Sequence, residues 1–167
     1  MSKYRFIVFS LIFIVVQIFI CNYFPFSRYV LISILPALLL MLPLEYGSNV
    51  SMLIAFAAGF AVDFFSTGML GITSASLVPA ALLRQPLISF VFGDEISSRA
   101  ERIIPGRIGL PKMSLAMLLL CAVFFLCYVW MDAADTSGFW SGALRFALSV
   151  AASAPLCVLV AGILRPE

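Results

Sequence analysis

The chain has 167 residues, of which 63% are hydrophobic and only 11% charged, with a net charge of +2 and a mean hydropathy of +1.14. Water-soluble domains carry about a quarter charged residues and about half apolar ones, so the surplus here must face lipid. Six crossings of about 20 residues would use roughly 120 positions, which leaves no room among them for a separate soluble catalytic domain.

Taken in order, Lys3 and Arg5 precede an apolar run over 6–24. No small-x-small cleavage site follows, and Ile20 stands before Cys21 where a lipoprotein signal needs a small side chain, so an uncleaved first span is expected. Pro25 and Arg28 mark a turn, and 29–44 reads as a second, short span containing Pro36. A third span is expected over 50–65, and Ser66, Thr67 and Gly68 supply a tight connection to a fourth. That fourth span starts at Leu70 and ends either at Leu83 or, running through Arg84, Gln85 and Pro86, at Phe92. Over 94–104 the spacing of Ile96, Ala100, Ile103 and Ile104, with Glu95 four residues before Arg99, predicts a cytoplasmic amphipathic surface helix. Its Arg99 and Arg102 suit anionic lipid or a partner, and a solvated loop is the alternative. The fifth and sixth spans are expected over 113–131 and 140–164, joined by an acidic turn.

The pattern predicts an all-α integral membrane protein of about six transmembrane helices packed in one bundle and one domain, 1–167. With a cytoplasmic N-terminus, Lys3, Arg5, Arg84, Arg99, Arg102, Arg107, Lys112 and Arg165 all lie inside, and Arg28 alone falls in an outer turn. The five tyrosines and both tryptophans sit near span ends, where amphipathic rings meet headgroups.

Two ionisable residues, Asp63 and Arg145, fall at membrane depth, where each costs on the order of 3 kcal/mol. Counted along their spans, both reach the outer half, where they either form an ion pair pinning the third span to the sixth or snorkel outward separately. Ala55, Gly59 and Asp63 share one stripe; Arg145, Ser149, Ala152 and Ser153 share another; Gly138 and Gly142 form a G-x-x-x-G spacing. Ser10, Gln17, Thr73, Ser76 and Ala80 extend this set, which either packs helices or lines a ligand cavity. The chain has no histidine, hence neither the usual neutral-pH base nor the commonest metal ligand. Cys21, Cys121, Cys127 and Cys157 lie in apolar runs without C-x-x-C spacing, as small buried residues do. Asp63 has no second acid or nucleophile beside it, so no catalytic, metal or cofactor site is expected.

The run Ala55, Phe56, Gly59, Asp63, Phe64, Phe65, Gly68, Gly71, Ala75, Arg84 and Pro86 resembles the signature segment of the bacterial rod shape-determining protein MreD family. Gln17 and Asn22 are similar to that family's first helix, whereas Gln85 separates Arg84 from Pro86 where the family more usually has them adjacent. The resemblance covers Ala55 to Asp94, about a quarter of the chain. It implies a fold similar to the substrate-binding subunits of energy-coupling-factor transporters, set in the bacterial inner membrane with both ends cytoplasmic. It also implies a non-catalytic scaffold and regulatory subunit of the cell-wall elongation (rod-shape) machinery, supporting peptidoglycan synthesis and cell shape. The implied direct partner is the bitopic protein MreC. Through it come an actin-like filament, a SEDS-type glycan polymerase and a class B transpeptidase, with no cofactor and no nucleic acid. The same fold likeness leaves a second reading, the substrate-binding subunit of a vitamin-like small-molecule transporter. Outer turns this short are thin provision for a solute, so helix faces and membrane lipids are where recognition is expected, at Ala55, Gly59, Gly138 and Gly142 above all.

Overall fold

The computed structural model describes residues 3–23, 31–42, 46–66, 70–93, 110–133 and 139–163. They form helices α1 (Lys3–Tyr23), α2 (Leu35–Met41), α3 (Ser48–Phe65), α4 (Ile72–Phe92), α5 (Leu110–Ala133) and α6 (Phe139–Ile163). No strand occurs among the described residues. Helices α3, α4, α5 and α6 are long and apolar enough to cross a membrane, while the apolar run of α1 is the shorter Ser10–Tyr23. Gly138 and the surface segment expected over 94–104, with Ile96, Arg99, Arg102 and Ile103, lie outside the described residues.

The second segment departs most from expectation. In place of a continuous helix over 29–44, residues 31–34 are not helical and only Leu35–Met41 coil into α2. Pro36, in the first turn of α2, suits a helix start: its fixed φ is helical and its missing N–H is no loss there. At the other end Leu42 leaves the helix with ψ at 139°. Every residue from Leu35 to Leu40 is buried.

The other helices surround it. In sequence around the bundle α1 packs on α3, α3 on α4, α4 on α5 and α5 on α6, and α2 touches all five. Among the described residues α1 and α6 make no contact with each other. The ring therefore has a seam among the described residues, and residues 31–34, which lie outside any helix, pass through it bonded to both walls.

The α3–α4 hairpin is the tightest joint. A Cβ added at Gly59 would lie 2.5 Å from the Ser74 Cα, so no other residue permits this approach. Ser66 ends α3 in an extended conformation, and Gly71, at φ 99°, starts α4 from the left-handed region that glycine enters freely. Helix α4 then runs through Pro79, Arg84 and Pro86 to Phe92 and stops at Gly93, also at positive φ. Outward, Phe56, Phe60 and Phe64 stack along α3 and stay about half exposed.

Gly59→Ala should therefore destabilise the bundle by about 1–3 kcal/mol, because backbone and not a movable side chain must yield. Gly47→Ala, which meets nothing within 4 Å, serves as the neutral control. Thermal unfolding in detergent, followed by size-exclusion chromatography, measures both.

Candidate functional site

Non-helical backbone inside a helical membrane protein has no ladder of its own, so its polar groups must be met by side chains. Here the side chains come from both walls of the seam. Ser149 Oγ accepts the Leu31 N–H at 3.0 Å and Ser153 Oγ accepts the Ser33 N–H at 3.1 Å. Ser153 also donates to the Leu31 carbonyl, and the Cys157 thiol donates to the Ser33 carbonyl, both at 3.4 Å. The spacing works because two residues outside a helix rise at most about 6.6 Å and four helical residues about 6.0 Å, so positions 149 and 153 keep pace with 31 and 33.

From the α1 wall a single buried residue does the corresponding work. Gln17 Oε1 accepts the Ile34 N–H at 2.8 Å and its Nε2 donates to the Ile32 carbonyl at 3.1 Å, as a neighbouring strand would. A second contact, to Cys21 Sγ at 3.3 Å, holds the amide in place. One turn further on, Asn22 donates to the carbonyl of Phe65, the last residue of α3.

Two charged residues hold helix ends. Asp63, 5% exposed, sits one turn beyond Gly59 and directs Oδ2 at the start of α4, where it accepts the Gly71 and Ser74 N–H groups at 3.0 and 3.1 Å. A carboxylate on the orphan amides of a helix N-terminus is stabilised by them and by the macrodipole. Arg84, fully buried, donates through one terminal nitrogen to the Leu42 carbonyl at the end of α2, and through the other to Ser51 Oγ at 3.4 Å. Its Nε has no acceptor among the described residues.

The ion pair between Asp63 and Arg145 is not formed. Arg145 pairs at 2.7 Å with Asp132 across the α5–α6 hairpin, at side-chain exposures of 28% and 36%, while Asp63 is engaged by the start of α4. Local neighbours supply both partners sooner than a distant helix can. Arg84, counted from sequence among the cytoplasmic basic residues, lies within α4, because that helix runs to Phe92, the longer of the two ends expected for the fourth span.

Of the residues expected to pack helices or to meet a partner, the three that are described lie inside the bundle. Ala55 is buried, Gly59 lies against Ser74 of α4, and Gly142 is buried where an added Cβ would meet Val129 of α5 at 3.6 Å. Gly71 is the N-cap of α4, and Pro86 lies within α4. The structure thus brings Gln17, Ser149 and Ser153 together at the seam, and Asp63 with Gly71 at the α4 cap. No family model, curated protein or solved structure matches the chain.

Replacing Gln17 by Leu strands one donor and one acceptor and should cost more stability than Ser149→Ala, which strands one, at about 1–3 kcal/mol per stranded group. Thermal unfolding of the single variants in detergent gives the ranking. In double-mutant cycles Asp63→Ala and Arg145→Ala should be additive. Asp132→Ala and Arg145→Ala should couple by no more than about 1 kcal/mol, because that pair is partly exposed.

Proposed function

We propose that the protein is a non-catalytic scaffold and regulatory subunit of the bacterial rod-shape (elongation) machinery, resident in the inner membrane. It would bind an MreC-like bitopic partner through its helix faces. Through that partner it would act on the actin-like filament, the SEDS-type polymerase and the class B transpeptidase. The observation that carries this reading is where the interior polar groups go: Gln17, Ser149, Ser153 and Asp63 are all bonded to this chain's own backbone. A solute-binding subunit needs several convergent polar groups free to meet its ligand. Discontinuous helices are a transporter device, and α2 is one, but its unwound carbonyls are met by Gln17, Ser153 and Cys157. The large outward apolar surface on α1, α3 and α6 suits packing against another protein's membrane helix.

Six crossings follow if α1 and the 31–42 segment each traverse the bilayer. The four residues 31–34 and the seven-residue helix cover at most about 24 Å of a hydrocarbon layer of about 30 Å. With Arg84 withdrawn into α4, the cytoplasmic set becomes Lys3, Arg5, Arg99, Arg102, Arg107, Lys112 and Arg165, against Arg28 outside.

Depleting the protein from a rod-shaped host should round the cells and lower recovery of the bitopic partner with the polymerase complex. Retained rod shape, together with saturable binding of a vitamin-like solute, would establish the transport reading instead. An impermeant thiol reagent should label a cysteine placed at Ser137 in intact cells and leave one at Ser98 unlabelled. The reverse pattern would invert the topology.

A further inference from the structure

We infer that Cys121 and Cys157 form a buried dithiol, a modification site that a small neutral oxidant of the hypohalous acid class closes to a disulfide across the α5–α6 joint. Closure takes away the thiol that holds the Ser33 carbonyl. The inference goes beyond the scaffold reading and does not depend on it. Its first ground is proximity. Helices α5 and α6 are the antiparallel arms of a hairpin, and Asp132 against Arg145 fixes their register near its tip. Three turns away from that pair, about 17 Å along α5 and 18 Å along α6, Cys121 comes level with Cys157. The Cys121 thiol is there hydrogen-bonded to Cys157, and the Cys157 thiol donates onward to the Ser33 carbonyl at 3.4 Å. Both cysteines are fully buried and both are free thiols. Cys127 lies about 120° around α5 from Cys121 and is partly exposed.

The second ground is the product that the site accepts. The pair belongs to an apolar core with Met117, Leu120 and Phe124, where an uncompensated ion is costly. No third Cys, Asp or Glu stands with the two thiols among the described residues, so a soft cation such as copper(I) would leave a net negative charge on two thiolates. A disulfide is neutral. Exchange with a water-phase disulfide starts from a thiolate, which a dry site withholds, whereas a hypohalous acid is small, uncharged and permeates lipid. The Cys121 sulfur takes the chlorine of hypochlorous acid as the O–Cl bond breaks, and the thiol proton leaves with the hydroxide as water. The Cys157 sulfur then displaces chloride, which departs with the second proton, and the S–S bond forms. Two electrons pass from the sulfurs to the chlorine. The proton lost from Cys157 is the one that the Ser33 carbonyl accepts, in a segment that lies outside any helix and leads directly into α2. A change at the α5–α6 joint is thereby passed to the helix on which all the others pack.

The test uses the full chain in nanodiscs of phosphatidylethanolamine and phosphatidylglycerol, treated with hypochlorous acid, then denatured, alkylated and mapped by mass spectrometry. A peptide linked through Cys121 and Cys157 should form, and a phosphine reductant should return both thiols to alkylation. Hydrogen exchange over residues 31–42 should rise about tenfold on oxidation, the effect of one lost hydrogen bond, and fall back on reduction. Cys157→Ala removes the donor without making a link and should raise exchange by the same factor. Cys157→Ser keeps a hydroxyl donor and should leave exchange low and indifferent to the oxidant. If Cys157→Ala fails to fold, oxidation of the natural chain and its reversal by the reductant decide. Two thiols that stay alkylatable after Cys127 has been oxidised, or two that end as sulfonic acids without a link, overturn the dithiol. A link that leaves exchange over 31–42 unchanged overturns the coupling to Ser33.

Discussion

Everything in this bundle depends on one constraint: where lipid replaces water, no backbone N–H or carbonyl can be left without a partner at small cost. A helix meets the rule by itself, but residues 31–34 lie outside any helix and cannot. Their bonds are made instead by Gln17 of α1 and by Ser149, Ser153 and Cys157 of α6. The non-helical run lets α2 begin at the centre of the molecule, where it is buried on every side and becomes the post against which all five other helices pack. It also replaces direct packing between α1 and α6, which touch only through it.

The charges obey the same economy. A buried ion is stabilised by whatever partial charge lies nearest, and helix ends carry about half a unit each. Asp63 takes the positive end of α4 and Arg84 the negative end of α2. Neither has an opposite full charge as its hydrogen-bond partner among the described residues, so neither incurs the desolvation of a second ion. The ion pair that does form, Asp132 with Arg145, lies where both side chains retain part of their water. Each of these contacts joins consecutive parts of one wall or ties the wall to its central post.

Helix identity was legible in the sequence because the hydrophobic runs are long and their breaks carry Gly, Pro or charge. The α3, α5 and α6 segments needed no tertiary knowledge. The unwinding of 31–34 was not legible: Leu31 to Ile34 is as apolar as its neighbours, and Pro36 marks a helix start as readily as a kink. The signal that could have found it was the Ser149–Ser153 pair set against an unexplained Gln17. Hydroxyls one turn apart serve an extended strand as well as they serve helix packing. Gly59 signals a close approach in the sequence but leaves open whether a helix of the bundle or a partner makes it, because a glycine states that something is near without saying what. Depth and two small-residue faces match Asp63 to Arg145 in the sequence. The start of α4 and Asp132 were nearer, and only the path of the α3–α4 and α5–α6 hairpins reveals that.

The seam joins parts of the chain that are made far apart in time. Leu31 and Ser149 are 118 residues apart, an interval of roughly 6–24 s at ordinary rates of synthesis. During that interval the amides of 31 and 33 have no Ser149 or Ser153 to meet them, and the central post stands beside an unfinished wall. The nascent protein must either delay placing this segment in lipid or shelter it in the insertion apparatus until its last helix arrives. Any truncation that removes α6 then leaves a polar strand at the heart of the remaining bundle, which marks the fragment for membrane quality control rather than for partial activity.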